Sequence, residues 1–476
     1  MLPAWTRPRL KGGGGDATRG AVVRKFLVLS WLIGFGCAAA GASSPSPAAA
    51  ASAATTTLVS ISTSGAQGNG YSWAVGISAY GRFVVFNSDA TNLVPGDTNT
   101  QSDVFVRDRR SGETTRVSVT SSGAQADQSP NEFGGSRAGG ISANGRYVAF
   151  GSDATNLVPH DTNRAGDVFV HDSVTGKTQR VSVSSSGRQA NGTFGIPAIS
   201  ADGRYVAFMS TASNLVRGDT NRKWDVFVHD RVTGKTRRVS VSSSGRQGNG
   251  DSEEPAISAH GRYVAFDSYA SNLVPGDSNR QWDVFVRDRR TGKTRRVSVS
   301  SSGEQTTGPP GAAGSGASVI SADGRYVVFI SGAANLVPRD TNRVNDIFVH
   351  DRVTGKTQRV SVSSAGRQAN GDNEASPAIS ASGRYVAFAS FASNLVPGDS
   401  NGAGDDFIHD RVTHRTLLAS LRSTGEQGND SSYVDTGALS ADARYLAFSS
   451  WASNLAPDAN PAPDVFVRDF GAPLDR

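Results

Sequence analysis

The chain has 476 residues, 37% of them apolar, and a formal net charge of +6. Its single cysteine, Cys37, excludes an intramolecular disulfide and a cysteine metal knuckle, so packing and hydrogen bonds must hold the fold. Arg7, Arg9, Lys11, Arg19, Arg24 and Lys25, against the single acid Asp16, carry most of the excess charge; without residues 1–25 it falls to +1, which removes the main argument for nucleic-acid binding.

The N-terminal segment reads as an export signal. Arg19, Arg24 and Lys25 precede an uncharged, mostly apolar run of 17 residues from Phe26 to Ala42, and Ala-Ser-Pro-rich sequence continues to about Ala54. That is the basic, hydrophobic, small-residue order of a secretory signal, with cleavage after Ala42 or nearer Ala53. One alternative is a retained membrane anchor, for which 17 residues is marginal. Another is a lipoprotein lipidated on Cys37, for which Ile33-Gly34-Phe35-Gly36 is a poor lead. The expected division is a leader at 1–54 and one folded domain at 55–476, secreted or extracytoplasmic, at the cell surface or in the periplasm.

From there the chain repeats one unit seven times. The turn glycine, or its replacement, falls at Gly81, Gly145, Gly203, Gly261, Gly324, Gly383 and Ala443, at intervals of 64, 58, 58, 63, 59 and 60 residues. Such a period implies small, mutually dependent units in one domain. In the third unit, strands are predicted near Ala198–Ser200, Tyr205–Phe208, Val226–Val228 and Arg238–Ser242. Asp202-Gly203 and Thr233-Gly234 supply the hairpin turns. Four antiparallel strands per unit, without helical stretches, predict an all-β, seven-bladed β-propeller. An open array of sheets is the alternative, and the termini argue against it. The last unit lacks a fourth strand after Val465–Val467, and Leu58–Gly65 matches the fourth-strand segment Arg238–Gly245. The N-terminal strand is therefore expected to close the last blade, leaving no open edge.

The repeats resemble the WD40-like (PD40) repeats of TolB-like β-propellers. Ser200-Ala201-Asp202-Gly203-Arg204-Tyr205-Val206-Ala207-Phe208 and its equivalents carry the likeness, from about residue 57 to 469. The resemblance implies an exported propeller and is weak for activity. The unit here is longer than the usual span of about forty residues, and no separate N-terminal domain of the TolB kind is recognisable.

The extra length lies between strands two and three, as from Ser268 to Trp282 in unit four. Each of these loops contains Asp-x-Asn-x-x-x-Asp: Asp97, Asn99, Asp103; Asp161, Asn163, Asp167; Asp219, Asn221, Asp225; Asp277, Asn279, Asp283; Asp340, Asn342, Asp346; Asp399, Asn401, Asp405; and Asp458, Asn460, Asp464. Side chains so spaced in a turn can converge on one hard cation, and calcium takes six to eight oxygens, the rest from backbone carbonyls and water. The spacing is not that of an EF-hand. The competing reading is capping, because Asp and Asn accept hydrogen bonds from turn amides. After strand three comes another regular aspartate: Asp108, Asp172, Asp230, Asp288, Asp351, Asp410 and Asp469, read as a turn cap. Arg107, His171, His229, Arg287, His350, His409 and Arg468 precede it, and this exchange of Arg with His predicts a polar surface position. Each link to the next unit repeats Gly-x-Gln-x-Asn/Asp, as in Gln67 and Asn69 or Gln247 and Asn249. These residues are expected either to bridge blades or to bind a sugar or peptide.

In a radial blade, the long loops and the links share one face and the tight hairpins the other. Departures from the repeat are few. His160, His260 and His414 stand at different structural positions and form no evident metal triad. No Gly-x-Ser-x-Gly elbow and no phosphate or dinucleotide loop is present. Trp224, Trp282, Tyr269, Phe391 and Trp451 fall around the long loops, to pack them or to meet a ligand. The leading expectation is a monomeric, exported, noncatalytic binding or scaffold protein recognising a protein or cell-surface glycan on its long-loop face. The runner-up is a polysaccharide lyase or hydrolase with its site at the channel mouth, signalled by His160, His260 or nonrepeated acids converging in one cleft. A calcium-stabilised structural surface protein is the third.

Overall fold

In the computed structural model of the chain, the described residues are 53–127, 135–163, 165–308, 314–457 and 460–474. The signal-like leader up to residue 52, Cys37 and Asp458 lie outside them. In the third unit the strands are Ala198–Ile199, Tyr205–Ser210, Asp225–Asp230 and Lys235–Arg238, paired antiparallel in that order. Strand two starts directly after the Gly203 turn, and strand four directly after Gly234. The fourth strand thus lies upstream of the expected Arg238–Ser242. Pairing resumes at once after a tight turn, with Asp230 opposite Lys235 and Phe227 opposite Arg238. Val239 N still donates to Val226 O of strand three at 2.8 Å; the chain then bends, with Val241 N donating to Val239 O at 2.8 Å, and both valines stay buried.

Every unit gives such a four-stranded sheet, seven in all. The last sheet is completed by Thr55–Leu58, which pairs antiparallel with Asp464–Asp469, Leu58 opposite Phe466. The fold is therefore a seven-bladed propeller closed by its N-terminal strand. Val59 N donates to Val465 O at 2.7 Å, and Ser60 Oγ to Asp464 Oδ1 at 2.5 Å. Closure joins residues more than 400 positions apart and removes the sheet edge that an open ring would expose.

Between blades, the strands are apolar on both faces. Val206, Ala207 and Phe208 are all fully buried, because one side packs inside the blade seam before it and the other in the seam after it. Each blade stacks one phenylalanine pair, as Phe208 on Phe227 with centroids 5.9 Å apart. Burying such a ring is worth about 2–3 kcal/mol, and the stacked pair adds roughly 1 kcal/mol.

The repeated Gly-Arg-Tyr is a latch between blades as well as a turn. Gly203 sits at φ +71°, and a Cβ there would lie 2.2 Å from the Tyr147 ring of the preceding blade. Arg231 lies over that ring at 4.3 Å and donates to Gly203 O at 2.6 Å. Just inside, backbone bonds run from blade to blade. Ala79 N donates to Ala143 O, Ala143 to Ala201, Asp202 to Ala259, Ala259 to Ala322, Ala322 to Ala381, Ala381 to Ala441, and Ala441 back to Ala79, at 2.9–3.4 Å. The ring is continuous and surrounds the central channel at its hairpin end.

Candidate functional site

The loop Asp-x-Asn-x-x-x-Asp residues come together as their spacing implies. In blade three, Asp225 is fully buried; Oδ1 accepts from Ser240 Oγ at 2.5 Å, and Oδ2 from Asn221 Nδ2 at 2.8 Å. The group lying between Asp219 and Asp225 is Arg238 of strand four, whose Nη1 is 3.0 Å from each. Arg116, Arg180, Arg296 and Arg359 do the same for Asp97 with Asp103, Asp161 with Asp167, Asp277 with Asp283, and Asp340 with Asp346. Burial pushes the first carboxyl of each of these pairs up, and the arginine opposes it. The asparagines cap: Asn99 Oδ1 accepts from Gln101 N at 3.2 Å, and its Nδ2 donates to Asp103 Oδ2 at 3.1 Å and Ala126 O at 3.2 Å.

Two blades depart. Leu418 and Leu58 take the arginine's place opposite the phenylalanine. In blade six, Gln427 Nε2 bridges Asp399 Oδ1 and Asp405 Oδ2, at 2.8 Å each. Asn401 Nδ2 also donates to Asp405 Oδ2, at 3.0 Å. In blade seven Gln67 Nε2 donates to Asp464 Oδ2 at 2.6 Å, and Asn460 Nδ2 to Gly68 O at 2.6 Å. Among the described residues, no three His, Cys, Asp or Glu side chains gather into a group that could hold a metal ion.

The aspartate after strand three caps its turn, and it also pairs with the hairpin arginine. Asp230 Oδ1 accepts from Val232 N at 3.1 Å, while Arg204 spans both its oxygens at 2.8–2.9 Å and holds its carboxyl below the usual range. The position before it is a correction: it is buried at the four histidines and Arg468 and half-buried at Arg107 and Arg287, not a polar surface. His171, His229, His350 and His409 are 0–6% exposed, and each Nδ1 meets a strand-four threonine Oγ1 at 2.9 Å. Arg107 and Arg287 reach the same threonine atom, at 2.9 and 3.0 Å. Arginine and histidine exchange because both can meet that hydroxyl inside the blade seam. The link glutamines join blades: Gln247 Nε2 donates to Thr220 Oγ1 at 2.8 Å, on the loop of the blade before.

His160, His260 and His414 are exposed turn residues and do not meet; two of them, His160 and His414, have positive φ. The aromatic departures include a cluster. Tyr71, Trp73 and Trp451 are 39%, 39% and 42% exposed. Tyr71 stacks on Trp73 with centroids 5.7 Å apart and 20° between planes, and meets Trp451 edge-on, also at 5.7 Å. Trp451 follows strand two of blade seven, and Tyr71 and Trp73 open strand one of blade one. They form one aromatic surface across the closing seam on the long-loop face. Sequence reasoning singled out Trp451 and missed the other two. Their signal was Tyr71-Ser72-Trp73, where the equivalent positions of other blades read Gly135-Ser136-Arg137 or Asp251-Ser252-Glu253. Tyr269 and Trp282 make a smaller pair, 6.0 Å apart.

The first strands line a central cavity of about 460 Å³, reaching from the alanine ring to Glu254, Asp435 and Asn87. Three nonrepeated acids gather here. Glu254 and Asp435 line the cavity, and Asp267, 4% exposed, lies beside Glu254. Burial, followed by the charge of Glu254, pushes the Asp267 carboxyl well above the usual range. Burial likewise pushes Asp435 up, to about 6.

No protein-family model matches the chain, and no curated protein does. Similar solved structures include TolB from Acinetobacter baumannii, 14% identical over 75% of this chain and 65% of that one, with a TM-score of 0.39. The chain thus spans just under two thirds of that TolB structure. Oligogalacturonate lyase from Vibrio parahaemolyticus is 10% identical over 84% of this chain and 90% of its own, with a TM-score of 0.47. The β-propeller domain of the trilobed protease from Pyrococcus furiosus is 10% identical over 85% and 97%, with a TM-score of 0.46. These likenesses are distant and touch both catalytic and noncatalytic propeller proteins; none assigns an activity to this chain.

Proposed function

We propose that this chain is an exported, noncatalytic binding protein that holds a cell-surface glycan on its long-loop face. The observation that carries the reading is the exposed aromatic group Tyr71, Trp73 and Trp451. Tyrosine and tryptophan present flat apolar faces with a polar edge, which suits the C–H faces and hydroxyl rims of sugar rings. Exposed Asn69, Thr91 and Asn92 lie next to it and are bonded to one another and to Gln67 O, which fixes the link and loop beside the aromatic group. Such a group on a rigid closed ring needs little ordering when a ligand arrives. Export rests on the N-terminal sequence alone, and cell fractionation tests it.

A glycan array with a parallel turnover screen is the direct test. The expected result is binding of a defined glycan class without cleavage, weakened at least tenfold by Trp73→Ala and by Trp451→Ala with little change in melting. Undiminished binding by the double variant, or a protein ligand with no glycan bound, overturns the glycan assignment. The second reading, a polysaccharide lyase or hydrolase, is favoured by the gathering of Glu254, Asp267 and Asp435 at the channel, because glycosidic chemistry uses carboxyl groups in pairs. Cleavage in the same screen, abolished by Glu254→Gln, would establish it.

A further inference from the structure

We propose that the central channel is a separate binding site for a small organic ammonium ion, best met by a linear diamine. The cavity, about 460 Å³, is within the usual size of a small-molecule site. Its wall is mostly apolar, with Val75, Ile141, Pro197, Ile257 and Ile320 among the side chains that face it. Among the described residues, the only charged ones lining it are Glu254 and Asp435, with no Lys, Arg or His. Glu254 belongs to blade four and Asp435 to blade seven. Three places apart is as far as a ring of seven permits, so the two carboxyl groups approach from opposite sides.

Asp267, nearly fully buried, stands behind Glu254, with Glu254, Ser318 and the Ala317 backbone amide as its hydrogen-bonding neighbours. Its place in strand two is that of Asn87 in blade one and Met209 in blade three, both of which line the channel. In blade one the matching bond runs from Ala138 N to Asn87 Oδ1, at 2.8 Å. Glu254 itself sits at φ +48°, a left-handed conformation that disfavours any residue with a Cβ, within a bulge of strand one. A glycine would adopt it without that penalty. Ala317 takes the same place in blade five with φ +50°, so the conformation belongs to the bulge, which turns residue 254 toward the channel.

The chemistry of the occupant follows from the wall. Carboxylates in an apolar surround attract a cation more strongly than in water. An ammonium ion on a short alkyl chain supplies both the charge and the methylene surface that the valines and isoleucines would cover. A bare divalent metal is matched less well, because it wants several oxygen ligands at one point and the two lining carboxyl groups come from opposite sides of the channel. Two carboxyl groups from opposite blades suit a ligand with a cationic group at each end.

Calorimetry on the intact chain at low ionic strength tests this, with the linear diamine putrescine as probe and butanediol as the uncharged control. One-to-one binding of putrescine is expected, with no heat from the diol and at least a tenfold loss of affinity in Glu254→Gln and in Asp435→Asn. Glu254→Gly separates the site from the fold: it should melt no lower than the parent, since it relieves φ +48°, yet bind at least tenfold more weakly. Trp451→Ala should leave putrescine binding unchanged, so failure of this site and failure of the glycan reading are distinguishable. Absence of putrescine binding by the parent, or full affinity in the folded Glu254→Gln, Asp435→Asn double variant, overturns the proposal. A melting shift of the parent that an equal ionic strength of sodium chloride reproduces overturns it as well.

Discussion

Leu418 shows what the loop arginines do. In five blades a guanidinium lies between two carboxyl groups, and in blade six a glutamine amide and a leucine stand there instead. Asp405 is fully buried, and burial pushes its carboxyl up. A raised folded-state pKa means stability is lost as pH rises through it. Leu418→Arg should therefore stabilise by about 1 kcal/mol at neutral pH, and the gain should shrink in acid. Arg238→Leu, the reverse change in blade three, should cost about 2–4 kcal/mol, because it leaves two buried carboxyl groups without their cation. Denaturant midpoints at pH 7 and pH 4.5 check both. The buried histidines act in the opposite sense. Burial lowers His229, His350 and His409 from 6.5 to about 4. Between those values the unfolded chain binds more protons, so their contribution is complete above pH 6.5 and is lost as pH falls to about 4. Each is worth roughly 1–3 kcal/mol. His229→Arg copies blades one and four, and should flatten that acid dependence in thermal melts taken from pH 7 to pH 4.

At the scale of the element, the hairpin and the closing strand are the vulnerable parts. Gly203→Ala meets a left-handed φ and the Tyr147 ring together, and should cost about 2–4 kcal/mol by urea denaturation. Removing residues 53–60 strips the outer strand from blade seven and takes the Ser60 hydroxyl from buried Asp464. The shortened chain should melt at least about 10 °C lower and associate through the exposed edge; light scattering and calorimetry would show both. Much of this was legible. Turn glycines and strand alternation are local, and the missing and spare fourth strands at the two termini implied the closure. The fourth strand was placed too far on because Val239-Ser240-Val241 alternates like a strand, while the chain bends after the last bond to strand three, from Val239 N to Val226 O. Convergence of the loop aspartates was legible from their spacing of six. The arginine between them was not, because it stands 13 residues further on, as Arg116 does from Asp103, in another strand. Burial of the histidines was hidden for the same reason, since each meets a threonine seven residues on in strand four, as His229 meets Thr236. Glu254 could be suspected from Glu253-Glu254-Pro255, which breaks the pattern of strand one, but only the bulge shows that residue 254 reaches the channel.

Across the whole molecule, regular residues build the seams, and the irregular ones collect near the axis and the closing seam. Trp73, Arg137, Glu253, Gly316, Glu374 and Tyr433 stand at one register position of strand one, and no two of them agree except the glutamates. The strand-two position paired with it varies as well, through Asn87, Gly151, Asp267, Ile330, Ala389 and Ser449. The alanine circle at the hairpin end has a mechanical consequence. Seven amide–carbonyl links in series form a hoop with no free end. A hoop cannot dilate at one point without drawing on its neighbours, so outward breathing of any blade is resisted by all seven. The dipoles of the links run head to tail around the circle and cancel, so that rim favours neither sign of charge. Its amides, from Ala79, Ala143, Asp202, Ala259, Ala322, Ala381 and Ala441, should exchange with deuterium as one slow group, released only when the circle as a whole comes apart.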